Sequence, residues 1–322
     1  MGRLDARSLL AQHRFLFALA LAVILLAANV VAAPSFGEPS NLSDTLGVFA
    51  PFALAAMAGT PSILSGGGGL DLSIGPLMSL VNVVLVVGLM PNGLGSPAVA
   101  VPLVLVLGAA VGAADGFLVS GLRYQPVIAT LCALFVIVGV NLKIAPSPVI
   151  APRGNWTVEL AHSVGPVPGA VVTVGAVALL WLALRRTAYY RALVAVGGND
   201  AAAFSAGVNI VAVRTVAYAL GGAMAAVGGL ALTGLVQTAD ANLGTQYVLI
   251  ALAAIAVGGT QFAGGRGGLL GSALGAAMIY LLQNLLSALS VSALWLQVVY
   301  GVVLLVAVIA GARLTEPQVR PA

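Results

Sequence analysis

An all-α polytopic membrane protein is the fold class this sequence predicts, and three observations predict it. Of 322 residues, 61% are hydrophobic and only 7% are charged, against about 25% charged in a soluble domain. Apolar runs of about 20 residues recur along the whole length, enough for a helix to cross the hydrocarbon core. The basic residues fall between those runs and sort to one side of the membrane. The alternation of short segments that marks a membrane β-barrel is not seen.

Taken in order, Arg3, Arg7 and Arg14 precede an apolar run over 15–33. It reads as a retained first span, because it is longer than a signal-peptide core and Pro34 stands where cleavage would be required. Residues 35–45 form a polar loop. From 46 to 90 the chain is apolar almost throughout, with room for two spans but nearly no loop, and its one break is GGGGLDLSIG at 66–75. Further spans are expected over 98–119, over 127–144 (opened by Pro126) and over 166–184. A polar connection over 185–214 then leads to spans near 214–236, 246–260, 268–287 and 294–312. The result is about ten transmembrane helices in a single domain over 1–322, with short tails 1–14 and 313–322.

Charge tests that layout. With the amino terminus inside, Arg3, Arg7, Arg14, Arg123, Arg185, Arg186, Arg191, Arg214, Arg266, Arg313 and Arg320 are cytoplasmic, and only Lys143 and Arg153 lie outside. Basic residues favour the inner side, so both termini are expected there. A net charge of +4, confined to loops, does not suggest nucleic acid. The single cysteine, Cys132, leaves no disulfide framework or thiolate metal site and reads as a small core residue. Small residues four apart, Gly108/Gly112, Gly221/Ala225 and Gly271/Gly275, predict close helix approach in lipid. An inverted repeat would relate spans two to five with seven to ten, and the residues themselves support it only weakly.

Two stretches could carry function. Between 185 and 215, Asn199 can cap a short helix with Asp200 at its positive end. Ala201, Ala202 and Ala203 propagate it, and Gly207 suits the left-handed residue that stops it. Gly197 and Gly198 precede it, and its exposed side, Ala201, Ala202, Ala203 and Ala206, is expected to be small. About two turns, roughly 10 Å of helix, result, and they look like a part that something docks against. In GGGGLDLSIG the four glycines oppose regular helix, and Asp71 and Ser73 can cap the helix that follows. An acid this deep is costly and should face protein or a wet cavity. Two readings stay open: Gly68, Gly69, Asp71 and Ser73 line a broken helix beside a translocation path, or they form a structural cap at a tight turn. Asp115 reads as a cap at the inner end of span four. Gln283 and Asn284 are polar in apolar surroundings and must find partners. Trp295 and Tyr300 read as interface anchors or packing residues. No GxxxxGK[ST] loop is present and the only lysine is Lys143, so the chain is not its own ATPase. His13 and His162 form no HExxH pair, which disfavours an intramembrane enzyme. No cofactor and no metal are expected.

TAYYRALVAVGGNDAAAFSAGVNI, from Thr187, resembles the cytoplasmic coupling segment of the ribose/xylose/autoinducer-type permeases of ABC importers, relatives of the branched-chain amino-acid permeases. Thr187, Arg191, Ala195, Gly197, Asn199, Ala202, Ala203 and Gly207 fall in register with that family's run, while Tyr190 replaces a common Gly. TPSILSGGGGLDLSIGPLMSL is similar to the family's GGxDLSVG signature, QPVIATL to its PFIxTL, and GGTQFAGGRGGLLGSALG to its GGTSxxGGxG region. Asn284 matches a family Asn. Val248 stands where Glu is usual, Ile250 where an acid is common, and an Asn expected near Ser287 is missing. The resemblance covers about residues 46–312. It implies a type II ABC importer-like permease in a bacterial inner membrane that imports a small polar solute, a sugar. It further implies a separate ATP-binding subunit docking on Gly197, Gly198, Asn199, Asp200, Ala202, Ala203 and Gly207. Asn284 joins Asp71 as a path residue, a substrate-binding protein is expected outside, and a second permease copy or paralogue completes the pore. The other class kept open is an autonomous ion-coupled secondary transporter, which Asp71 with broken helices would suit.

Overall fold

Helices apolar on every side have no polar stripe to orient them, so residue size decides how they pack. The computed structural model describes residues 14–292, 295, 298–302 and 305. In chain order come α1 (Arg14–Ala32), α2 (Leu42–Leu64), α3 (Ile74–Val83, continuing as π-helix over Val84–Leu89), α4 (Pro97–Ser120), α5 (Pro126–Ile144) and α6 (Thr157–Ala161). Then follow α7 (Gly169–Arg185), α8 (Ala188–Gly198), α9 (Asp200–Ser205), α10 (Ile210–Val236), α11 (Thr245–Val257) and α12 (Leu269–Ala288). Pro97 and Pro126 each open a helix, at the position where a missing N–H costs nothing. Extended structure among the described residues is limited to two small antiparallel pairs. Val149–Ile150 (β1) pairs with Thr238–Ala239 (β4), and Ser163–Val164 (β2) with Val167–Pro168 (β3).

Five of the described helices are long and apolar enough to cross a membrane, and a sixth span results if α7 and α8 count together across an 84° bend. The third and eighth expected spans are shorter helices, α3 and α11. Most of the tenth expected span, 294–312, and the tails 1–14 and 313–322 (Arg14 apart) lie outside the described residues.

α2 and α10 form the centre, and small residues set their contacts. On α4, a Cβ at Gly108 would stand 2.4 Å from the Gly222 oxygen and one at Gly112 2.2 Å from the Tyr218 oxygen. Gly221 faces the Ala58 oxygen of α2, and on α12 Gly275 faces the Ala254 oxygen of α11 at 1.9 Å from the same construction. The small-residue pairs therefore pack backbone to backbone, as their spacing predicts. α5 is peripheral, which corrects the expectation for Cys132: it lies on the exposed face rather than in the core. Asn29 Nδ2 donates to Leu281 O and Asn284 Nδ2 to Asn29 Oδ1, both at 2.9 Å, tying α1 to α12. The Tyr300 hydroxyl donates to Gln283 Oε1, so both polar residues of span nine are satisfied. One end of the bundle carries α6, where His162 Nδ1 meets Asp44 Oδ1 at 2.6 Å and Trp156 Nε1 donates to Gly95 O at 2.7 Å. The other end carries α8 and α9.

Candidate functional site

The connection over 185–214 is mostly helix. Thr187 starts α8, its hydroxyl accepting from Tyr190 N at 3.4 Å. Asn199, in extended conformation, ends α8 and begins α9, its side chain accepting from Ala202 N at 3.0 Å. Gly207, with φ of +82°, stops α9. Its N–H donates to Phe204 O at 2.9 Å and Val208 N donates to Ala203 O at 3.0 Å, satisfying the last carbonyls. The short helix thus begins and ends where its cap and stop residues predict.

Gly197 and Gly198 precede α9 as expected, as the last turn of α8. One expectation needs correction. Ala203 is only 5% exposed and belongs to the core, so the outer side of α9 is not uniformly small. Phe204, 70% exposed, is its most prominent side chain. A six-residue helix carries too little periodicity to set its own phase; contact with the bundle sets it. Arg214, which the charge rule explains only as an inner-side residue, is a clamp. Its Nη2 donates to Asp200 Oδ2 at 3.2 Å and its Nε to Ser65 O at 3.3 Å, fastening α9 to the end of α2.

Behind α9, three segments meet backbone to backbone. A Cβ on Gly197 would stand 1.9 Å from Leu64 O and 2.5 Å from Gly265 N. One on Gly66 would stand 2.8 Å from Gly197 Cα, and one on Gly264 2.4 Å from Gly66 Cα. Gly265 N donates to Leu64 O at 3.1 Å. The end of α8 therefore touches both the break after α2 and the turn before α12 with no side chain between.

The break after α2 is where the sequence places it. Gly66, Gly67 and Gly68 have φ of +74°, +66° and +72°. Gly69 is required by contact, since its Cβ would lie 2.2 Å from Ser62 O. Asp71 is buried, and its Oδ1 accepts from Ser73 N at 2.9 Å and Ser73 Oγ at 2.7 Å. It faces protein, as the cost of a carboxylate in lipid demands. Ser73 holds the N-cap position of α3 without a side-chain capping bond, because its hydroxyl is turned to Asp71. Asp115 is not an end cap: it lies within α4, buried, with Oδ2 lacking a partner. Asn284 is bonded to Asn29 of α1 and is not brought to the Asp71 turn.

The connection 237–244 between α10 and α11 falls in the gap expected between the spans near 214–236 and 246–260, but sequence reasoning missed that it is a second break packed on the first. There Asp240 Oδ1 accepts from Asn242 N at 2.8 Å, Asn82 Oδ1 from Asp240 N at 3.1 Å, and Ser79 Oγ from Gly244 N at 2.6 Å. Gly75 and Gly244 oppose each other: a Cβ on Gly75 would sit 2.3 Å from Gly244 O, and one on Gly244 1.8 Å from Gly75 O. The 13 residues of α11 span about 20 Å and the 27 of α10 about 40 Å. Both α3 and α11 begin at this junction, and α3 runs on beside the second half of α10, where Gly229 meets Met78 O. The available signal was a repeated spacing, DLSIG at Asp71–Gly75 and DANLG at Asp240–Gly244. Among the described residues, no three His, Cys, Asp or Glu side chains converge to hold a metal ion.

Residues 41–308 match the family described as branched-chain amino acid transport system / permease component. The chain belongs to this family. It is 34% identical to the ribose import permease protein RbsC of Bacillus subtilis (strain 168) over 281 residues, 86% of either chain. It is 34% identical to RbsC of Escherichia coli (strain K12), covering 89% of this chain and 90% of that one. With the fructose import permease protein FruG of Bifidobacterium longum (strain NCC 2705) it shares 30% over 90% and 89% of the two lengths. No solved structure matches. This permease is a multi-pass protein of the bacterial inner membrane, the transmembrane component of an ABC importer.

Proposed function

We propose that this permease imports a sugar, driven by a separate ATP-binding subunit that docks on α8 and α9. Sugar import rests on the ribose and fructose permeases it resembles. The observation that carries the docking reading is the joint at Gly197. A push on α9 passes through Gly197 to the break after α2 and to the turn before α12, because backbone contacts leave no side-chain slack. Asp200, Arg214 and Ser65 form a second link. Phe204 is the natural insert for an apolar cleft on the ATPase, with Gly198, Asn199, Asp200, Ala202 and Gly207 around it; Gly197, expected on that face, is buried and lies behind it with Ala203 as packing. Gly68, Gly69, Asp71 and Ser73, just beyond the joint, would be the first path residues to move; Asn284 is kept as a weaker path candidate.

In this reading the α8–α9 end and both termini are cytoplasmic. The α6 end faces a substrate-binding protein, and a second permease copy or paralogue completes the pore. The test is Phe204→Asp in the whole importer, which leaves the bundle interior untouched. Uptake of ribose, fructose or galactose should collapse at equal permease abundance, with loss of the copurifying ATPase. Uptake that stays at the wild-type level would refute docking on α9 and return the ion-coupled secondary transporter to first place.

A further inference from the structure

α7 and α12 both pack on α2, and a cleft of about 470 Å³ lies where the three helices meet. Met57 of α2 lines it, with Val174, Ala178 and Leu182 from α7 and Leu270 and Ala273 from α12. The spacing of Val174, Ala178 and Leu182 keeps them on one face of α7, and Arg185 ends that face. From Val174 to Arg185 the helix rises roughly 16 Å, about the hydrocarbon depth of one leaflet. Leu182 and Leu270 are exposed. A cleft opening among such leucines in a membrane meets acyl chains, and left unfilled it forfeits contacts along its walls.

The cleft carries one charge. Arg185 Cζ stands 5.8 Å from the centre of the Tyr190 ring, and Trp181 meets the same ring edge-on at 5.6 Å. These two aromatics hold the guanidinium at the end of the cleft. Among the described residues Arg185 has no carboxylate partner: the ion pairs there join His162 to Asp44 and Arg214 to Asp200. The indole N–H of Trp181, one turn before Arg185 and 4% exposed, has no acceptor among the described residues either. A sugar would find few partners for its hydroxyls here, because Arg185, Trp181 and Tyr190 supply nearly all the polar side-chain atoms of the lining. An apolar trough of leaflet depth with an unneutralised arginine at its end matches one kind of molecule in both shape and charge.

We propose that this cleft binds an anionic phospholipid, one acyl chain lying along α7 and α12 and the phosphate on Arg185. The lipid would touch α8 through Tyr190 and the turn before α12 through Gly267 and Gly268. Those two elements meet at Gly197, so the lipid braces their joint from the membrane side. The proposal depends neither on docking at α9 nor on which solute is carried.

The test is native mass spectrometry of the full-length permease in detergent, incubated with dioleoyl-phosphatidylglycerol or with dioleoyl-phosphatidylcholine. One retained phosphatidylglycerol is expected, and no retained phosphatidylcholine. Arg185→Gln should weaken retention about fivefold, the worth of one arginine at an anionic surface. Ala178→Trp, which fills the cleft, should abolish it, and Arg186→Gln, outside the cleft, should change nothing. Equal retention of the two lipids would make the occupant ordinary boundary lipid and overturn the proposal. Displacement by inorganic phosphate would overturn it too, as the mark of a small-anion site. So would disulfide crosslinking of Leu270→Cys to a second permease copy in a Cys132→Ser background, which gives the cleft to that copy. Release of the lipid on adding the ATP-binding subunit would assign Arg185 to that partner instead. Should Ala178→Trp fail to fold, the contrast between Arg185→Gln and Arg186→Gln still decides.

Discussion

The breaks after α2 and after α10 use one turn in two surroundings. Asp71 and Asp240 each accept from the N–H two residues on, and each precedes by four residues a glycine that rests on the other's carbonyl. Two helix pairs thus begin alike and meet head to head, the local form an inverted repeat takes. Their supports differ. The second break is buttressed by side chains: Gln237 Nε2 donates to Thr233 O and Gly234 O, Asn155 Nδ2 donates to Gln237 Oε1, and β4 pairs with β1. The first has three left-handed glycines, a buried acid and backbone contacts to α8 and the turn before α12. In the proposed reading the first break, which touches the end of α8 through bare backbone, is the one that would follow a movement of α8.

The harshest way to break the comparison is to separate the two turns. Gly244→Val puts atoms where Gly75 O lies and should cost at least about 3 kcal/mol, the upper range of overpacking. Folded permease should be lost from membranes, and Gly75→Val should match it; abundance and melting temperature measure both. Asp71→Ala against Asp240→Ala separates the buried turn from the half-buried one. The first loses two buried bonds and should cost about 2 kcal/mol, the second loses one and should cost about 1 kcal/mol. Equal melting shifts would deny that burial distinguishes the breaks. Asn199→Ala removes only the cap of α9, about 1 kcal/mol. Uptake should drop severalfold while the bundle melts as before; a lowered melting temperature with normal uptake would make the cap purely structural. The mildest probe asks which side each break serves. Single cysteines at Ser205 and Arg153, in a Cys132→Ser background, should leave transport intact and label from opposite sides with an impermeant thiol reagent. Labelling of both from outside would invert the proposed orientation.

Much of this molecule was legible one segment at a time. The apolar runs, the break at 66–75, the proline starts of α4 and α5, and the Asn199 and Gly207 limits of α9 each depend on residues a few positions apart. Such features follow from hydration, backbone sterics and local hydrogen bonds, which a chain carries wherever it goes. Where Ala203 points and what Arg214 holds were not legible. Each is a meeting of segments far apart in the chain, chosen by which small-residue faces can approach. The partner of the turn before α11 stayed hidden for the same reason: DANLG is an ordinary connection until Gly244 lands on Gly75. The sequence by itself determined that this is a polytopic helical permease with a capped helix between spans and an acid in a glycine break. Only the tertiary structure decided that the helix, the two breaks and the acid form one connected device, because glycine permits close backbone contact without specifying the partner.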